Sequence, residues 1–502
     1  MMTFYAVLDI GKTNKKISIY NENFEREESL AKEFGEQTVD GLQVEPVEET
    51  WQWFAASMKD LSSRYPVSAV SVTAHGGTFV CVNDKGEVVV PVLSYTNDPG
   101  EEFHDRFYDQ YGGPVKLHRE TATPDMPGLG CVAKAIEFSR QRFPVEFQST
   151  THIVSLAGYY AMRLTGNASV DSTSLGSHTG LWDFNRKQYS RLVDDMNIRH
   201  LLSARVSQPW DVTGTVLPEA SRQTGLGEDV KVAAGIHDSN ASLLPYILVN
   251  NSSFMLLSSG TVMVVMRPDE KAMVQDSMLG KSIYYNQGAL GNPVKTVLFL
   301  AGLEFETNMG QLLAAGGGEG HPSFNGEISS DITSRLEDFI LPSLVPFGIF
   351  PESMARVISG GRAIPFGDIA AGEHPLLFLD YERAYHVLCL SVAIQTLAAL
   401  RQGGMQPGDT VYLEGGFSRN DAFVKIMASL LDEQQLVTSS LEEASSFGGA
   451  LVAAAAHDGI YPGDLSGTFT VDYRPITGEE LAGLDAYVEK FMNLVNGRQG
   501  QV

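Results

Sequence analysis

Short apolar runs broken by glycine recur along this chain, and the first of them sets the plan. Residues 5–20 read as an apolar run, a polar break at Gly11, Lys12 and Thr13, and a second apolar run through Tyr20. Residues 253–267 repeat it: Phe254 to Leu257, a break at Ser258, Ser259, Gly260 and Thr261, then Val262 to Met266. Runs this short, bounded by Gly and rich in β-branched residues, predict strands rather than helices. Trp51, Phe54, Ala55, Met58 and Leu61 follow helical spacing. Residues 67–73 and 79–82 predict strands, 89–93 continue apolar, and 153–163 predict a helix. A short strand over 232–235 leads through Ile236, His237 and Asp238 into an apolar helix ending near Leu248. In the second half a long helical pattern covers about 377–401. Strands over 410–413 and 436–438 alternate there with helices around Phe423–Leu431 and from Phe447 onward. This alternation predicts an α/β fold with a partly parallel sheet in each half.

At 502 residues the chain exceeds one core and fits two domains of about 250 residues. The polar cluster Asn250, Asn251, Ser252 and Ser253 predicts the boundary, giving domains over 1–249 and 250–490 and a tail over 491–502. Ala314 to Gly320 predict an aperiodic loop. A formal net charge of −25 argues against nucleic acid and anionic membrane as partners. Three scattered cysteines suggest neither a disulfide framework nor a zinc site. The chain opens without a signal peptide and no apolar run approaches the roughly 20 residues of a membrane span, so the expected location is cytoplasmic.

The two hairpin tips carry the candidate chemistry. A glycine turn presents bare N–H groups and a neighbouring hydroxyl adds a donor, which suits phosphate oxygens. Lys12, Lys15 and Lys16 beside the first turn supply local positive charge, or are solvated surface lysines. Residues 6–13 satisfy a loose Walker pattern, but a strand follows Thr13 where a phosphate-binding loop requires a helix. G-x-G-x-x-G and G-x-S-x-G are absent, which removes the dinucleotide fingerprint and the nucleophile elbow. Asp9 ends the first strand as a turn cap or as a carboxylate beside a cation shared with phosphates. Asp238 stands where a strand enters a helix, as a cap or as a base projecting into the crevice at the sheet's carboxyl end. Glu414, Gly415 and Gly416, with Gly448 and Gly449, are helix punctuation or let two helix starts approach a base and ribose. His75, Gly76, Tyr95 and Asp98 are candidates for an acceptor pocket.

Five ordered motifs resemble the FGGY family of carbohydrate kinases: Asp9 to Thr13, Gly235 to Asp238, Ser259 to Thr261, Glu414 to Asn420, and Phe447 to Ala450. The similarity spans about residues 4–456. It implies two ribonuclease-H-like domains of the actin and hexokinase type flanking a deep cleft for ATP, Mg²⁺ and sugar. Carried over by position, Asp238 is the general base, and Asp9 with Asp238 lies near Mg²⁺. Gly11, Thr13, Asn14 and Lys16 approach the phosphates from one side, Gly260 and Thr261 from the other. Gly302 takes a nucleotide-side position, and Gly415, Gly416 and Asn420 border the adenosine. His237 joins the acceptor side. The implied reaction is ATP-dependent phosphorylation of a terminal hydroxyl of a ketose or related polyol. A small sugar or polyol is the partner, and a homodimer is one assembly open to the chain. An ATP-hydrolysing conformational machine and a non-catalytic sugar sensor are the rival readings. Lys12 stands where most members have Thr, and the segments around 74–78, 98–100 and 127–138 depart from the family's acceptor-side patterns.

Overall fold

The computed structural model describes residues 2–250, 252–315, 318–344, 349–441 and 443–497. Asn251 of the expected boundary, Gly316 and Gly317 of the expected loop, and residues 498–502 lie outside them. The first hairpin forms β1 (Phe4–Ile10) and β2 (Asn14–Asn21), extended by β3 (Arg26–Glu33). After α1 (Val47–Arg64) comes β4 (Val67–Ala74), which runs parallel to β1. Helix α2 (Leu156–Thr165), β5 (Val212–Thr215), β6 (Lys231–Ala233), β7 (Ile236–His237) and α3 (Asp238–Val249) complete this half. The sheet order is β5-β6-β4-β1-β2-β3, with β7 also pairing β4. Every residue of β1 is buried, because the strand is central and both its faces are covered.

The second hairpin forms β8 (Phe254–Ser259) and β9 (Met263–Pro268), followed by β10 (Ile283–Gln287), β11 (Pro293–Phe299) and α4 (Ala301–Ala314). Then come α5 (Tyr381–Gly403), β12 (Thr410–Gly415), α6 (Asp421–Ser429), β13 (Gln435–Ser439), α7 (Ala444–Asp458), β14 (Tyr473–Ile476) and α8 (Leu484–Val495). Their sheet order is β10-β11-β9-β8-β12-β13-β14. In both sheets a hairpin's first strand lies between its antiparallel partner and a parallel strand that arrives later in the chain. The device is therefore used twice, once in each half of the chain.

One local expectation differs from what forms. Residues 153–163 divide into a strand, His152–Ser155, and α2, because the Ser155 side chain accepts from the Gly158 N–H and caps a new helix. Helix α5 has the length and hydropathy of a membrane span, but 94% of that window is buried inside the protein, in the core of the second half.

The functional geometry depends on α3 and α7, which pack on each other. Ala241 and Leu244 of α3 join Tyr5 and Val7 of the first sheet, while Leu243 and Tyr246 join Leu256 and Tyr412 of the second. Helix α7, although late in the chain, lies against β1 and β4. An ideal Cβ on Gly448 would sit 1.9 Å from Ala241 O, and one on Gly449 2.6 Å from Val7 Cγ1. Only glycine permits that approach.

Candidate active site

The strand ends of both halves converge on one cavity of about 410 Å³. Asp9, Gly11, Lys12, Thr13, Asn14 and Lys16 line it from the first hairpin, Asp238 from α3, Ser258 from the second hairpin and Ser445 from α7. Asp9 faces Thr73 across the parallel β1–β4 register. Its Oδ1 accepts from Thr73 Oγ1 at 2.6 Å, and its Oδ2 from Ser445 and Ser446 Oγ at 2.6 and 3.0 Å. Burial pushes the Asp9 carboxyl above its ordinary range; the Ser445 and Thr73 hydroxyls oppose that shift, and the charge of Asp238 adds to it.

Asp238 opens α3, where its Oδ1 accepts from the Ser239 N–H at 2.6 Å and the Ser239 hydroxyl at 3.3 Å. Its side chain keeps 29% of its surface open. Burial raises this carboxyl, against the pull of His75 and the Ser239 hydrogen bonds. A raised carboxylate that still reaches a cavity can accept a proton.

Around Asp238 stands a set of histidines. His237 contacts Asp238 Oδ1 at 3.3 Å, Ser177 Oγ at 3.3 Å and Asn240 Nδ2 at 3.1 Å. The His178 ring lies edge-on to His237 and to Tyr284, at 6.2 and 5.9 Å. Burial lowers His237 to about 3 and His178 to about 4, so both rings are neutral at physiological pH. Gly76 lies among them: a Cβ there would meet His178 Nε2 at 2.7 Å and His237 Nε2 at 2.9 Å. His75 is buried, its Nε2 has no hydrogen-bond partner among the described residues and faces Glu45 Oε1 at 3.8 Å, and its ring stands edge-on to Tyr95 at 5.7 Å. Burial, then the charges of Asp238 and Glu45, push the Tyr95 phenol up to about 12, so it remains a donor. Asp98 turns elsewhere, accepting from the Gly100 N–H at 2.9 Å and pairing with His104 at 3.0 Å.

The second tip forms its own cradle. Gly260 and Thr261 are exposed, and Gly302 packs against them so closely that a Cβ would lie 1.9 Å from Gly260 O. The Leu303 N–H donates to Thr261 O at 2.9 Å. Gly415, opposite Ser259 in the β8–β12 register, adopts φ +85°, and a Cβ there would fall 2.0 Å from Ser259 O. Gly416 follows it at the strand end. Asn420 is committed locally: its Oδ1 accepts from the Phe423 N–H at 3.0 Å and the Tyr385 hydroxyl at 3.1 Å. Of the first-turn lysines, Lys15 is buried and donates to Gly11 O and Lys12 O at 2.9 and 2.8 Å, holding the turn from behind. Lys16 pairs with Glu443 at 3.1 Å.

Sequence reasoning missed Ser445 and Ser446, which directly precede the Phe447-Gly448-Gly449 motif and could have been read as its hydroxyl extension. It also missed Thr73, His178 and Glu45, for which no local pattern stands out. Gly448 and Gly449 serve helix packing.

The N-terminal domain profile of the FGGY family of carbohydrate kinases matches residues 4–245, and the profile "Carbohydrate kinase FGGY, C-terminal domain" matches residues 251–460. No curated protein matches the sequence. A carbohydrate kinase from Novosphingobium aromaticivorans superposes with TM-score 0.77 at 24% identity, covering 99% of each chain. A ligand-bound xylulose kinase from Lactobacillus acidophilus gives 0.78 at 13% identity, covering 99% of this chain and 97% of that one. Plasmodium falciparum glycerol kinase with ADP gives 0.77 at 14% identity, covering 100% and 99%. At these identities the solved structures speak to the fold.

Proposed function

The chain belongs to the FGGY family of carbohydrate kinases, and from that premise we propose that it transfers the γ-phosphoryl group of ATP to a terminal hydroxyl of a ketose or related polyol, with Asp238 as general base. The observation that carries this reading is the shared cavity: the first phosphate turn, Ser258 before the second, and the carboxylates of Asp9 and Asp238 all line it. Phosphoryl transfer asks the protein chiefly for positioning and for compensation of charge. Asp238 accepts the acceptor's hydroxyl proton as that oxygen attacks phosphorus in line, and the neutral histidines leave the carboxylate as the base in the pocket. Backbone N–H groups and hydroxyls of the two tips face the charge that develops on the transferring group.

The donor set suits a hard cation. Among the described residues no group of three or more His, Cys, Asp or Glu side chains could hold a metal ion by itself. Asp9 spends three acceptor sites on hydroxyls, and the contacts of Asp238 among the described residues all fall on Oδ1. One or two carboxylates with phosphate oxygens are the usual environment of Mg²⁺. Asp9 and Asp238 would hold it, and it would supply charge neutralisation at the phosphates.

The test is ADP release across a panel of sugars and polyols, with and without each acceptor. Acceptor-dependent release supports the kinase. Release indifferent to every acceptor favours an ATP-driven machine, and sugar binding without release favours a sensor. Asp238→Asn should lower kcat about 10²–10⁴-fold, the scale for losing a general base. Near-wild-type turnover in that variant removes Asp238 from the mechanism.

A further inference from the structure

Lys12 sits at the tip of the first phosphate turn, where position alone suggests a phosphate ligand. Its contacts point elsewhere. The ammonium lies 2.5 Å from Glu36 Oε1 and 2.6 Å from Ser94 Oγ, and it also contacts Glu45 Oε1. The Glu45 carboxylate and the Ser94 hydroxyl accept hydrogen bonds from it, and Glu36 adds an ion pair. The same group lies 4.5 Å over the centre of the Tyr95 ring. Glu45 is buried and lies 3.8 Å from His75 Nε2, and Tyr95 stands edge-on to His75. Ser94 in turn donates to Glu36 at 2.6 Å and shares a hydrogen bond with Thr96 Oγ1 at 2.7 Å. One cation thus ties the loop before α1, the loop carrying Ser94 and Tyr95, and the end of β4 into one wall beside Asp238.

We propose that Lys12 is a positioning residue for the acceptor: by clamping Glu36, Glu45 and Ser94 and seating Tyr95, it fixes the pocket wall formed by His75 and Tyr95, and it does not grip the phosphates. This inference rests on the kinase reading above. Lys12→Met keeps most of the side-chain length and removes the charge. Lys12→Arg restores a cation. Glu36→Gln weakens the clamp at its more open end, where the Glu36 side chain is 24% exposed.

The probe is whichever of glycerol, D-xylulose, L-ribulose and D-fructose the wild type phosphorylates fastest. Lys12→Met should raise the KM for that acceptor about 10-fold or more, with Glu36→Gln smaller in the same direction and Lys12→Arg recovering most of the loss, while the KM for ATP holds. Calorimetry with acceptor alone should show the same order. A raised KM for ATP with unchanged acceptor binding overturns the inference. If Lys12→Met does not fold, Glu36→Gln decides by the same split between acceptor and ATP. A wild type that phosphorylates none of the four defeats the kinase reading for these acceptors and the inference with it, whereas active wild type with an ATP-side defect in the variants defeats the inference alone.

Discussion

Gly302→Ala offers a sharp test of the second phosphate tip. Gly302 is the second residue of α4 and its backbone is helical, so Ala would by intrinsic propensity favour the helix by roughly 1 kcal/mol. Space reverses the sign. The new Cβ would lie 1.9 Å from Gly260 O, 2.8 Å from Gly260 C and 2.9 Å from Thr261 O. The first contact falls about 1.5 Å short of ordinary van der Waals separation, and its partner is backbone, which cannot rotate aside. Either α4 or the Gly260–Thr261 turn must move, and the hydrogen bond from the Leu303 N–H to Thr261 O at 2.9 Å is strained with it. Misplacement of about 1 Å in a positioning element costs on the order of 10²-fold in rate. Steady-state kinetics should therefore show kcat/KM for ATP lowered about 10–100-fold, while acceptor binding measured by calorimetry without nucleotide stays at the wild-type value. Circular dichroism and thermal melting separate a local shift from unfolding. A folded variant with wild-type ATP kinetics refutes the claim that this turn positions the triphosphate.

On the acceptor side, Gly76→Ala should push a methyl group against the rings of His178 and His237, whose Nε2 atoms lie 2.7 and 2.9 Å from the added carbon. The KM for the acceptor is expected to rise about 10-fold or more with the KM for ATP little changed, and the opposite pattern would show that the histidines do not border the acceptor. Stability should respond to Glu414, whose carboxyl burial raises to about 8 even though the Tyr246 hydroxyl donates to it. Between its ordinary value near 4.5 and about 8, the unfolded chain has released this proton while the folded chain retains it, so stability falls as pH rises through that window. Glu414→Gln removes the loss. Urea denaturation should find its advantage over wild type growing from pH 5 to pH 8 toward a few kcal/mol, and a constant difference would contradict the assignment.

The two tips were legible because their strands are simple. β1 is buried on both faces, so it reads as an unbroken apolar run, and the same chemistry returns in β8. Asp238 was legible for the same reason, as a polar residue where an apolar strand meets an apolar helix. What was not legible is the role of α7. Its alanine-rich sequence announces a buried helix but not which sheet buries it. Ser445 and Ser446 reach Asp9 across more than four hundred residues of chain. The pair Gly448 and Gly449 looks like a nucleotide motif, yet a missing side chain there is what brings α7 within contact of Ala241, Val7 and Thr73. Glycine spacing shows that something approaches closely and leaves open what does.

The proposed acceptor pocket shows a different limit. Its polar groups come from separate stretches: Lys12 from the first turn, Glu36 and Glu45 from the segment before α1, His75 and Tyr95 flanking a loop, His178 and Tyr284 from distant elements. None forms a pattern of its own, because each is defined by the partner it meets and not by its spacing. Lys12 illustrates the consequence. Read in sequence, it belongs to the phosphate turn, since its neighbours Gly11 and Thr13 do. In space its ammonium is engaged by Glu36, Glu45 and Ser94, which is the ground for the acceptor-side role proposed above. On the proposed reading, two faces of a single turn serve two ligands: backbone and hydroxyl toward the nucleotide, one long side chain toward the acceptor. On that reading, substitution at this position alters acceptor binding while the phosphate grip is kept, as the Lys12→Met and Glu36→Gln kinetics would show.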